Sequence, residues 1–176
     1  MSVRVVAPDP DWLISFAIES QRIRDAVGGN VVALHHIGST AIAEIYAKPI
    51  VDMLLVVADF ERLDGSTAAL TEMGYKAMGE FGIPGRRYFR KDGSGGLRTH
   101  HLHSFVVGHS AVDRHLAFRD YMNANPSAAQ VYCALKRNLA AQHPNSMDAY
   151  MDGKDAFIKQ HETIALAWRR SLTDAK

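Results

Sequence analysis

The chain has a single cysteine, Cys133, in 176 residues. That excludes a disulfide framework or a thiolate metal cluster and is compatible with a reducing compartment. Long apolar runs are missing too. No stretch approaches the roughly 18 apolar residues of a membrane span, and the opening MSVRVVAPDPDW lacks the apolar segment of a signal peptide. A cytoplasmic protein with no membrane partner is the expectation. Charge of one sign is scarce as well: 20 Lys and Arg against 19 Asp and Glu leave a net charge of +1. No overall field therefore draws nucleic acid or lipid, although a local patch still can. Repeats, low-complexity tracts and linkers are also absent. With 47% hydrophobic and 22% charged residues, residues 1–176 read as one globular domain with a sizeable core.

The periodicities that are present change in an informative order. Asp9 before Pro10 opens a helix over roughly 10–27, carrying Trp12, Phe16, Ile23 and Val27 and ending at Gly28 and Gly29. VVALHHI reads as a strand, Gly38-Ser39-Thr40 as a turn into a short helix, and PIVDMLLVV as a central strand apolar on both faces. A helix over about 60–73 ends at Gly74, and GRRYFRKDGSGGLRTHHLHSFVV predicts a hairpin turning at Asp92 to Gly96. Three helices follow, starting near Ser110, at Pro126 and near Met147, the middle one with Val131, Leu135 and Leu139 toward the core. The expected architecture is α+β, with helices packed on one sheet.

Three constellations carry chemistry. A Gly-Ser turn between strand and helix leaves backbone N–H groups free to hold a phosphate with the Ser39 hydroxyl, while Ser39 or Thr40 serves equally well as a plain helix cap. Asp52 stands 13 positions after Ser39, at the head of a buried strand, where a charge is costly unless paired or bound to a cation. Facing the turn, it would hold a divalent metal bridging phosphate oxygens; the alternative is an ion pair with Lys48 or an arginine. On the RTHHLHSF strand, His101 and His103 project from one face, as metal ligands, as proton carriers or as hydrogen-bonded structural histidines. Arg86, Arg87, Arg90, Lys91 and Arg98 crowd the same hairpin and suit a phosphorylated ligand, or form a solvated surface. A mixed oxygen and nitrogen ligand set favours Mn²⁺ or Zn²⁺ over Mg²⁺.

HIGST, AKPIVDM, RRYF, HHLHSF, LAFRDYM, ANPSAAQVYCALKRNLA and the late Y...K..FI occur in the order seen in the GrpB family, which this chain resembles over nearly its whole length. The family in turn resembles the nucleotidyltransferases, whose signature is a Gly-Ser turn followed by Asp, an apolar residue and a second acid. That resemblance implies a small mixed sheet flanked by helices, with C-terminal helices packed on it. It also implies a nucleotide or other phosphorylated small molecule held by Gly38, Ser39, Thr40, Lys48, Arg86 and Arg87, and a divalent metal at Asp52, His101 and His103. Two departures stand out. Leu54 replaces the second acid, and AIAEIYAKP lies where most relatives have a Pro-Gly turn, which bears on Glu44 and Tyr46. The implied activity is metal-dependent nucleotidyl transfer from a nucleoside triphosphate. The alternative is a nucleotide-binding module without turnover, which Leu54 favours.

Overall fold

The computed structural model describes residues 2–174. In chain order it comprises α1 (Asp11–Val27), β1 (Val31–Ile37), β2 (Val51–Val57), α2 (Phe60–Gly65), α3 (Thr67–Glu72), β3 (Tyr75–Ala77), β4 (Arg87–Asp92), β5 (Arg98–Val106), α4 (Ser110–Ala124), α5 (Pro126–Gln142) and α6 (Met147–Asp174). The strands make one sheet in the order β1-β2-β5-β4-β3, antiparallel throughout except where β2 runs parallel to β5. The α+β class, the hairpin and the last three helix starts are as the sequence predicts. The three-residue edge strand β3 is additional, and the 60–73 helix is broken at Ser66, whose hydroxyl donates to the Arg62 carbonyl. Among the described residues no helix is long and apolar enough to cross a membrane.

β2 is apolar on both faces because both are covered. Met53, Leu55 and Val57 enter a core with Trp12, Ile23, Leu63 and Leu70 from α1–α3. Leu54 and Val56 pack with Ile37, Phe105 and Leu116 on the other side, under α4. Alternation along the strand therefore puts Asp52 on the α4 face, one step before that apolar cluster begins.

The short helix expected after the Gly-Ser turn is absent. Only a single 3-10 turn, Ser39–Ala41, forms before the chain becomes extended at Ile42. Burial outweighs local propensity here: Ile42 and Ile45 are both buried against Met122, Tyr132 and Cys133. The backbone groups a helix would have satisfied find side-chain partners instead. Asn123 accepts from the Ala43 N–H and donates to the Ala41 carbonyl. Cys133 Sγ accepts from the Tyr46 N–H at 3.3 Å, and Lys136 Nζ donates to the Tyr46 carbonyl at 2.5 Å. Glu44 takes a left-handed φ of 60° and is exposed.

Those ties also rotate α5. Its buried face is Ala129, Tyr132, Cys133, Lys136 and Leu139, whereas Val131 is 59% exposed and Leu135 only partly buried. The expected core position Val131 is thus corrected, because Cys133 and Lys136 must face the 42–47 segment, while Leu135 packs at the edge of the cluster of Val3, Leu139 and Tyr150. Lys136 is 1% exposed, and burial pushes its pKa from the usual 10.5 down to about 7. Between these values the unfolded chain binds more protons than the folded one, so wild-type stability rises with pH across that window and is lost toward pH 7. Relative to Lys136→Met, the wild type should gain up to ~1.4 kcal/mol per pH unit. Urea unfolding of both at pH 7 and pH 9 measures it; a difference independent of pH would mean that Lys136 stays charged when folded.

Candidate functional site

The strand register assembles the site. Ile37 at the end of β1 pairs with Asp52, Asp52 pairs with His101 of β5, and Leu54 pairs with His103. Tyr88 of β4 lies opposite His103 on the same face. The result is a cleft of about 340 Å³ containing Ser39, Thr40, Lys48, Asp52, Arg86, Tyr88, His101 and His103. A smaller recess of about 200 Å³ runs behind Gly38 and Ser39 toward His115, Tyr132 and Glu162.

Asp52 keeps 28% of its side chain exposed, facing the cleft. Oδ1 accepts from His101 Nδ1 at 2.9 Å and lies 3.7 Å from His103 Nε2. Burial alone would raise the pKa of this carboxyl; the His101 hydrogen bond, together with the nearby His103 N–H, outweighs it and holds the group ionised, well below the usual carboxylate range. A carboxylate only accepts, so His101 carries a proton on Nδ1 in this arrangement. One ligand atom from each of Asp52, His101 and His103 lies within 4.8 Å of the others, close enough to converge on a cation.

Gly38 is fixed by its neighbour. A Cβ there would sit 2.5 Å from Asp52 Oδ2 and 2.9 Å from Asp52 Cβ, and the φ of 70° is left-handed. The turn presses its backbone onto the carboxylate as only glycine can.

Two other expected binders have structural duties. Thr40 is buried, with its hydroxyl 2.9 Å from His36 Nε2 and donating to the Ile50 carbonyl, so it locks the turn to the start of β2. Arg86 is 6% exposed. Nε donates to the Glu80 carbonyl and NH2 to the Phe81 carbonyl, while NH1 lies 3.3 Å from His103 Nδ1 and the guanidinium stacks on Tyr88. A guanidinium only donates, so His103 Nδ1 is the acceptor and a neutral ring turns an N–H at Nε2 toward Asp52.

Arg87 does not join the cleft. Strand alternation sends it to the opposite face, where it forms a two-pronged ion pair with Asp64 (2.8 and 2.9 Å) over the Phe60 ring. Lys91 pairs with Glu19 of α1, and Arg98 with Asp92. The hairpin cations thus divide between two faces, and of the expected arginines only Arg86 lines the cleft.

The missing wall comes from α6, which brings Tyr150, Met151 and Lys154 to the cleft. Burial, then the charge of Lys48, press the Lys154 pKa down to about 8, against the opposing pull of Asp52. Burial lowers Lys48 as well. Lys154 escapes pattern reading because a lone lysine in a helix reads as solvated surface. Its one sequence signal is its place in the spaced Y...K..FI motif.

Comparison with known proteins places this geometry in a context. The profile of the family described as "GrpB protein" matches residues 2–163. UPF0157 protein YqkA of Bacillus subtilis is 42% identical over 98% of this chain, which spans 50% of YqkA's length. The crystal structure of conserved protein GrpB from Enterococcus faecalis superposes with a TM-score of 0.90 at 42% identity, covering 94% of this chain and 99% of that one. The structure of Cid1 in complex with its short product ApU is similar in fold, with a TM-score of 0.53 at 9% identity over 85% of this chain and 48% of Cid1. The architecture is nucleotidyltransferase-like.

Proposed function

The chain belongs to the GrpB family, and we propose that its cleft binds a nucleoside triphosphate and transfers the nucleotidyl group to an acceptor hydroxyl. The observation that carries this reading is the facing of Asp52, with its two imidazoles, by Lys48 and Lys154 inside one cleft beside the Gly38-Ser39 turn. Two partly desolvated lysines side by side are destabilised until an anion joins them, and a polyphosphate meets that need better than a single carboxylate. The nucleotidyltransferase-like fold supports the same reading.

Asp52 and His101 would hold the divalent cation, a mixed oxygen and nitrogen set that suits Mn²⁺ or Zn²⁺ better than Mg²⁺. Such an ion supplies charge neutralisation at the phosphate oxygens when bound. Lys48 and Lys154 grip the polyphosphate, Ser39 and the Gly38 turn position it, and His103 offers its Nε2–H to a phosphate oxygen. The acceptor hydroxyl oxygen bonds to the α-phosphorus as the bond to pyrophosphate breaks, and the hydroxyl proton leaves to solvent or to the departing pyrophosphate. Arg86 is a positioning residue, holding His103 rather than the phosphates.

One observation favours a second reading, nucleotide binding without turnover: Leu54, at the second-acid position, is fully buried in the apolar cluster under α4. Thermal shift with nucleotides and Mn²⁺, Zn²⁺ or Mg²⁺, followed by an assay for pyrophosphate release, separates the two. Stabilisation with metal-dependent pyrophosphate release supports transfer. Stabilisation without release supports the module, and no stabilisation by any nucleotide removes both.

A further inference from the structure

The loop between β3 and β4 does something the polyphosphate reading does not require. Its sharp turns fall on glycines with left-handed φ, 62° at Gly79, 79° at Gly82 and 74° at Gly85, yet Phe81 takes φ 46° with a bulky side chain. Residues held in this region persist where the surroundings fix them, and they cluster at ligand clamps. The side chain gains little from packing: Phe81 is 57% exposed.

What fixes Phe81 is Arg86, through the Glu80 and Phe81 carbonyls, helped by Glu80 Oε1, which accepts from the Gly85 N–H at 2.7 Å. The loop therefore holds an exposed ring in a strained, tethered conformation. That ring stacks on Tyr88 with centroids 5.4 Å apart and planes 29° apart. Tyr88 in turn packs on His103 at 5.1 Å. Phe81, Tyr88 and Met151 line the same cleft as Lys48 and Lys154, so the cleft has an aromatic, apolar portion as well as a cationic one.

We propose that Phe81, backed by Tyr88, is the stacking platform for the planar base of the nucleotide, and so a binding determinant separate from the phosphate grip; this rests on the nucleotide reading above. An exposed aromatic face stacks on any base, because every base presents a π-face. The platform thus gives affinity for nucleotides over bare polyphosphate without selecting one base strongly. Arg86 ties it to the chemistry, since the guanidinium that holds the Phe81 carbonyl also reaches His103.

Calorimetry with ATP and with inorganic tripolyphosphate, each in the presence of Mn²⁺, tests the platform on wild type, Phe81→Ala and Phe81→Trp. Phe81→Ala should weaken ATP about tenfold or more and leave tripolyphosphate unchanged, while Phe81→Trp keeps ATP affinity. Equal ATP affinity in wild type and Phe81→Ala overturns the platform and leaves the cleft reading standing. Parallel loss of both ligands in Phe81→Ala also overturns it, because the loop would then be acting on the whole cleft. Failure of the wild type to bind either ligand overturns the nucleotide reading and the platform together.

Discussion

Asp52→Asn is expected to remain folded, with a cooperative unfolding transition, and to lose divalent metal and metal-dependent nucleotide affinity by at least about tenfold, the loss of ~1.4 kcal/mol or more of binding. The amide keeps the size of the carboxyl and can still accept from His101 Nδ1, now 2.9 Å from Oδ1. What it lacks is the charge, which in the wild type is held by the two imidazoles against the opposing effect of burial. A neutral oxygen is a poor ligand for a hard cation, and Lys48 and Lys154 lose the one acid that both of them sense. Metal analysis of both proteins after loading with Mn²⁺ and desalting gives the answer directly. Equal metal content would make Asp52 a structural partner of His101, and the proposed transfer chemistry would lose its centre.

Leu54→Asp should be the most damaging single change, although on paper it restores the second acid of the nucleotidyltransferase signature. Leu54 is fully buried among Ile37, Val56, Phe105 and Leu116. Removing the side chain there costs about 2–5 kcal/mol, and burying an unpaired carboxylate adds several kcal/mol more. The sum approaches the whole stability of a domain, roughly 5–15 kcal/mol, so unfolded or insoluble protein is expected. Leu54→Met, which conserves volume, should cost less than about 1.5 kcal/mol. Urea denaturation reads both. A folded Leu54→Asp protein that binds metal more tightly would show that the apolar wall is dispensable and would remove the support for binding without turnover.

Strands β1, β2, β4 and β5, the hairpin and the starts of the last three helices were legible because their signals are local: alternation on RTHHLHSF, a Gly-rich turn, Pro126 at a helix start. That His101 and His103 share one face was also legible, since alternation along their strand sets it; that this face meets Asp52 depends on the pairing of β2 with β5, which only the family resemblance anticipated. What failed depended on partners distant in sequence. AIAEIYA has helical propensity, and it is extended because Asn123, Cys133 and Lys136 satisfy its backbone. Arg86 and Arg87 are adjacent in sequence and equally cationic, yet alternation parts them: one is tethered in the cleft, the other pairs with Asp64 behind the sheet. Lys154 reaches the cleft only through the docking of α6, which the Y...K..FI spacing marks without saying where that face docks.

That dependence on α6 has a temporal side. Translation delivers the chain from the N-terminus, and structure can form as it emerges. The turn, Asp52 and both imidazoles lie on or between strands complete by Val106, whereas Tyr150, Met151 and Lys154 arrive with α6. A nascent chain would hold the corner of Asp52, His101 and His103, with one side open, well before it held the two lysines of the proposed polyphosphate grip. On the proposed reading, capture of the full ligand waits for α6 to dock, and tight binding would mark a chain whose synthesis has passed that helix.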